Sequence, residues 1–217
     1  MLLDFPKDIQ IATLPAASSD APAQDEADSL LAPAAPASAQ EAAIKRAAAM
    51  IAHARRPVFY GGGGLINSGA DASHAFTSLV QETGAPCTLT LMGLGAYPAR
   101  DEQFVGMLGM HGARFTNYIL EECDMLIGLG VRFDDRATGK VEAFCPKAEI
   151  IHVDIDRSEM GKVKNPVLGI CADVGEVLTL ANQKLEPTSR PLWQQRVDQL
   201  KAAHPLILDG EDELFRP

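Results

Sequence analysis

No two cysteines in this sequence are close enough to form a C-x-x-C motif: Cys87, Cys123, Cys145 and Cys171 lie far apart. That excludes a zinc ribbon, argues against a disulfide scaffold, and leaves buried free thiols in a reducing cytoplasm as the expectation. Basic charge is also scarce. Lys and Arg number 19 against 29 Asp and Glu, a formal net charge of −10. So acidic a surface repels phosphate backbones and anionic lipid, so neither nucleic acid nor a membrane is expected as a partner. No apolar run reaches the ~20 residues of a membrane-spanning helix. The opening residues MLLDFPKDIQ carry Asp4 and Asp8 and no basic start, unlike a secretory signal. A Walker P-loop, G-x-S-x-G and H-E-x-x-H are all missing, and no residue reads as an activated nucleophile beside a base. What remains is an ordinary globular composition, 47% hydrophobic and 22% charged over 217 residues, enough for one large domain or two small ones.

The chain divides by composition. Leu2 to Pro6 reads as a strand running into a turn, and residues 1–11 as the remnant of a preceding domain. Residues 12–39 are rich in Ala, Pro, Ser and Asp, have no aromatic residue, and read as a flexible linker. From residue 40 a repeating pattern begins. Ile44, Ala47, Ala48, Ile51 and Ala54 recur at helical spacing over 40–55, and Pro57–Tyr60 is a short apolar strand followed by Gly61–Gly64. Asn67-Ser68 offers a cap for a helix that stops at Gly84. Strands follow at 86–90, 125–129, 150–153 and 167–171. The expected helices start near His111 or Gly112 and run to Glu122, then span 174–185 and 193–203. Short apolar strands alternating with helices predict an α/β fold: a doubly wound, mostly parallel sheet in a Rossmann-like three-layer α/β/α sandwich over 40–186, followed by a C-terminal helix and acidic tail at 187–217.

Ligands of such sheets sit beyond the carboxyl ends of the strands, so the residues just after each strand are the candidates. Gly61–Gly64 follow the first strand, and suit either a phosphate cradle or a flexible turn, since the G-x-G-x-x-G spelling fails. Arg132-Phe133-Asp134-Asp135-Arg136 follow the third, as an anion-holding fork or a salt-bridged surface turn. Asp154 and Asp173 follow the last two, as ribose acceptors or as helix caps. In GMLGMHG (106–112), Met107 and Leu108 suit helix packing, whereas Met110 and His111 are flanked by glycines and suit a flat aromatic ligand. Taken on residues alone, this is a nucleotide-binding domain without catalytic machinery.

The stretches LLDFPKDIQ (2–10), RRPVFYGGGGLINS (55–68), TLMGLGAYP (90–98), GMLGMHG (106–112), NYILEECDMLIGLGVRFDDRATGKVEAF (117–144) and IIHVDIDRSEMGKVK (150–164) resemble the catalytic large subunit of the acetohydroxyacid (acetolactate) synthases. These enzymes use thiamine diphosphate and Mg2+ to condense two pyruvates, or pyruvate and 2-ketobutyrate, with release of CO2, on the route to branched-chain amino acids. The resemblance implies that this chain is the central FAD-binding domain and is inactive alone. It also implies that thiamine diphosphate and Mg2+ sit on other domains of the parent, which would be a cytoplasmic homo-oligomer with a small regulatory subunit. No G-D-G metal motif occurs here.

Carried over by residue, the resemblance puts Gly62 and Gly63 at the pyrophosphate, and Thr90, Leu91 and Met92 along the flavin. It puts Leu108, Gly109, Met110 and His111 at the isoalloxazine and ribityl chain, and Gly130, Arg132 and Arg136 at phosphate and ring. Asp154, Ile155, Asp173 and Val174 fall at the adenosine end, while Met110, Asp135 and Arg136 face the substrate channel. No catalytic or metal residue is expected on this chain. The alternatives are the central domain of another thiamine-diphosphate carboligase or decarboxylase, a regulatory module that binds ADP or NAD, and a fold kept for subunit packing.

Overall fold

The computed structural model describes residues 37–206. The strand at Leu2 to Pro6, the linker up to residue 36 and the acidic tail from residue 207 lie outside the described residues. Five strands form one sheet: β1 (Pro57–Gly61), β2 (Cys87–Leu89), β3 (Met125–Leu129), β4 (Glu149–Asp154) and β5 (Leu168–Cys171). Their order is β2-β1-β3-β4-β5, with every pair parallel. The expected doubly wound α/β sheet is therefore present.

The strands carry no polar alternation because both faces are covered. Phe59, Ile127, Ile151 and Ile170 point into one core with α1 (Ala37–His53), α3 (Ala70–Thr83) and α6 (Val174–Asn182). Their neighbours Val58, Tyr60, Leu126 and Ile150 point into a second core with α4 (Arg114–Glu122) and α7 (Pro191–Ala203). That alternation is the period of two of a strand, read on two buried layers.

Several boundaries differ from those the sequence predicts. Helix α1 begins at Ala37, inside the segment read as linker. Asn67 and Ser68 do not cap α3. They end a short helix α2 (Gly63–Asn67) within the glycine run, and Gly69 takes the cap position before α3. Helix α4 starts at Arg114 rather than at His111 or Gly112. The Gly112 amide donates to Gly109 (3.1 Å) and the Ala113 amide to Met107 (3.1 Å), closing a turn that holds the chain out of helical geometry. Finally, residues 103–106 run along the outer edge of β2. Cys87 donates to Gln103 (2.8 Å), Val105 to Cys87 (2.9 Å) and Leu89 to Gly106 (3.1 Å). This pairing covers an edge strand and delivers the 107–113 turn to the carboxyl end of the sheet.

Candidate functional site

In this strand order β1 lies between β2 and β3, and the chain leaves β1 and β3 towards opposite faces of the sheet. A crevice between two such strand ends is where a doubly wound sheet takes its ligand. Here the two exits interlock. The Gly62 amide donates to Leu129 (3.0 Å) and the Gly64 amide to Gly130 (3.1 Å). A Cβ on Gly62 would overlap the Gly130 carbonyl, and one on Gly64 would lie 2.5 Å from the Gly130 Cα. Gly130 has φ +60 and faces Gly64 just as closely. Gly62, Gly64 and Gly130 are thus glycines because backbone meets backbone. Gly63 is different: a Cβ there would meet Met92 Cβ at 3.3 Å and is otherwise open on that side.

After β2, Thr90 caps a turn over Leu91–Gly93 by accepting from the Gly93 amide at 3.0 Å. That turn raises two large apolar side chains into solvent, Leu91 at 69% and Met92 at 73% exposure. Ile155, beyond β4, is 72% exposed and Met110 is 66% exposed. Four bulky apolar side chains thus stand uncovered at one edge of the sheet, where a charge-rich surface would be ordinary. Arg132 and Arg136 are exposed beside them. The nearest carboxylate to the Arg136 guanidinium is its chain neighbour Asp135, at 3.8 Å, a weak contact at this exposure. Asp134, in the same run, caps the short helix α5 (Asp135–Thr138) through the Ala137 amide at 3.1 Å.

The loop after residue 106 is fixed by a residue the sequence reading passed over. Asn117, in the first turn of α4, accepts from the Gly109 amide at 2.8 Å and donates to the Gly109 carbonyl at 3.1 Å. The Met110 amide in turn donates to the Arg136 carbonyl at 2.9 Å. Together these bonds bring Met110, Asp135 and Arg136 around one cavity of about 320 Å³. A polar amide inside an otherwise amphipathic helix was the available signal. Leu108 and Val174 do not join the edge: their side chains lie in the two cores. His111 is exposed on the same turn as Met110.

The two aspartates differ. Asp173 caps α6 through the Gly175 and Glu176 amides (2.8 and 3.2 Å), and its other oxygen accepts from Ser68 Oγ at 2.8 Å. Both of its oxygens serve the fold. Asp154 is largely buried, with one oxygen accepting from the Asp156 amide at 2.8 Å. Burial holds its carboxyl above the usual carboxylate range. Its second oxygen lies 4.0 Å from Nε2 of His152, another residue without a sequence signal. His152 is fully buried, packs edge-on against Phe133 and has Nε2 2.9 Å from the Val131 carbonyl. That bond joins β4 to the turn carrying Gly130 and Arg132. Burial lowers the His152 pKa below that of a free imidazole, so the ring is neutral and Nε2 carries the proton. Its Nδ1 has no protein partner among the described residues.

Among the described residues no cluster of His, Cys, Asp and Glu could hold a metal ion, and no helix is long and apolar enough to cross a membrane. Comparison with known proteins matches residues 44–180 to the model of the thiamine pyrophosphate enzyme central domain. Acetolactate synthase isozyme 1 large subunit of Escherichia coli (strain K12) is 48% identical over 203 residues, which cover 94% of this chain and 34% of that protein. Acetolactate synthase 3, chloroplastic, of Brassica napus is 41% identical over 100% of this chain and 33% of its own length. Acetolactate synthase, chloroplastic, of Arabidopsis thaliana is 40% identical over 82% of the chain and 27% of its own. The chain spans about a third or less of the length of these relatives.

Proposed function

We propose a function from one premise: this chain belongs to the family of thiamine pyrophosphate enzyme central domains. In our reading the whole protein is an acetolactate synthase large subunit. It condenses two pyruvates, or pyruvate and 2-ketobutyrate, to a 2-acetohydroxyacid with loss of CO2, in branched-chain amino-acid biosynthesis. The identities of 40–48% to acetolactate synthases support this. The parent works in the cytoplasm as a homo-oligomer with a small regulatory subunit, and thiamine diphosphate and Mg2+ supply the carbon–carbon chemistry on its other domains. This domain alone has no activity, so purified chain given pyruvate and all cofactors should release no CO2.

The part assigned to this chain is to hold FAD across the carboxyl edge of the sheet. The observation that carries the assignment is the set of uncovered apolar side chains, Leu91, Met92, Met110 and Ile155, beside the exposed guanidinium groups of Arg132 and Arg136. Apolar groups cover a flat ring and arginine forks hold phosphate. Gly63 and Thr90 border the same edge, and Asp154 offers a carboxylate to ribose hydroxyls. Asp173, Gly62 and Gly130 act one step back, by holding the turns in place. Met110, Asp135 and Arg136 line the side open to substrate. What the chain contributes is orientation and exclusion of water. Calorimetric titration with FAD, then NAD and ADP at equal salt, tests the reading. Saturable FAD binding, weakened in Arg136→Ala and Asp154→Ala, is expected. A preference for NAD or ADP would overturn it.

A further inference from the structure

Two neighbouring polar residues of α4 hold the chain that precedes it. Thr116 is fully buried, and its hydroxyl donates to the Val105 carbonyl. Asn117 takes both backbone groups of Gly109, accepting from the amide at 2.8 Å and donating to the carbonyl at 3.1 Å. Asn is a poor choice inside a helix, because its short amide competes for backbone groups. Here that competition is directed at another segment. Gly109 is left-handed at φ +81, and a Cβ on it would overlap the Arg136 carbonyl and stand 2.8 Å from the Ala137 Cα. The next amide, that of Met110, donates to the same Arg136 carbonyl at 2.9 Å. Asn117 thus grips Gly109, while Gly109 and Met110 lie backbone to backbone on α5.

We infer that Asn117 is a positioning residue for the ligand edge: it clamps Gly109 so that Met110 and Arg136 are presented as one unit. Met110 is given to the flat ring, and Arg136 to phosphate and substrate, by the FAD reading on which this role rests. Both side chains are exposed. Exposed side chains gain little from their own packing, so the backbone that carries them sets where they stand. Asn117 lines the cavity of about 320 Å³ together with Met110, Asp135 and Arg136. Both hydrogen-bonding ends of its amide are nevertheless turned to Gly109, so it acts through that backbone and not by touching a ligand. A residue lacking either the donor or the acceptor cannot make the same two-point contact.

Amide hydrogen exchange and FAD titration of the purified chain test this role together. In Asn117→Ala, exchange at Gly109 and Met110 should speed about tenfold beyond any change in global stability. FAD affinity should fall about tenfold in the same variant. Asn117→Asp keeps the shape and the acceptor but sets an oxygen against the Gly109 carbonyl, so it should show the same faster exchange at Met110 even where the alanine variant folds poorly. Asn182→Ala is the control. Asn182 donates to the Ala75 carbonyl at 2.9 Å and joins α6 to α3. Its loss should lower stability while leaving Met110 exchange, corrected for that loss, and FAD affinity within about twofold of the unaltered chain. Unchanged exchange at Met110 in both Asn117 variants, or unchanged FAD affinity in Asn117→Ala, would overturn the inference. Failure of the unaltered chain to bind FAD would overturn the FAD reading instead, and exchange at Met110 would still decide whether Asn117 is the clamp.

Discussion

The two edges of the sheet are built to opposite rules. At the amino edge several polar groups are answered by another part of the chain. Arg190, 8% exposed, donates to the carbonyls of Ile51 (2.7 Å), Ala54 (3.2 Å) and Thr83, which end α1 and α3. Such carbonyls have no partner within their own helices. Trp193 Nε1 donates to Pro57 at 3.1 Å, and the Asp124 carboxylate accepts from the amides of Arg55 (2.9 Å) and Arg56 (2.8 Å). Arg196 forks onto Glu122 at 2.6 and 2.9 Å. At the carboxyl edge the side chains of Leu91, Met92, Met110 and Ile155 are bare. The backbone beneath them is held by its own hydrogen bonds, among them Gly62 to Leu129, Gly93 to Thr90 and Gly109 to Asn117. The lesson is that apolar side chains stand in solvent at one edge while polar groups are paired within the chain at the other.

That contrast can be broken from either side. The largest effect is expected at Arg190. Arg190→Leu leaves three helix-end carbonyls without a donor, which should lower the unfolding free energy by about 3–5 kcal/mol in a urea titration. Gly130→Ala comes next. Its Cβ would meet the Gly64 backbone at a positive φ, so a loss of about 2–4 kcal/mol is expected. This tests whether the turn beneath the open edge is as rigid as described.

His152 should give an intermediate, pH-dependent effect. Its folded pKa is lowered by burial, so as pH falls below the unfolded value of about 6.5 the unfolded chain takes up the proton first and stability falls. Asp154 has the opposite sign. Its folded pKa is raised, so the native state takes up that proton first and partly offsets the loss at lower pH. His152→Gln should therefore flatten the acid limb of the melting-temperature profile below about pH 6.5. The smallest stability effect is expected at the open edge. Met92→Ser and Arg136→Ala should stay within about 0.5 kcal/mol of the parent chain while weakening FAD binding about tenfold or more. A large loss of stability in either would place these residues with the fold rather than with a ligand.

The sheet was legible because its signal is local. Pro57–Tyr60, Met125–Leu129 and Ile150–Val153 are continuous apolar runs, and runs of that length fit strands covered on both faces. The carboxyl edge followed from the alternation of strand and helix. The roles of particular residues at that edge did not. Gly62 and Gly130 explain each other, yet they lie far apart in sequence and meet only across paired strands. Asp154 and Asp173 have the same local signature, an acid after a strand. Only the tertiary partners Ser68 and His152 separate a helix cap from a buried carboxylate. The 103–106 segment was missed because it is too short to show a period. The turn ahead of α4 was missed because its hydrogen bonds run to Asn117 and Arg136, outside any local window.

The FAD assignment proposed above places the ligand at the carboxyl edge and away from the amino edge. Amide hydrogen exchange of the purified chain with and without saturating FAD tests it most directly. The account predicts slowed exchange at Gly63, Leu91, Met92, Met110 and Ile155, with the amides around Arg190 and Trp193 unchanged. Unaltered exchange at the carboxyl edge, or protection confined to the amino edge, would contradict it.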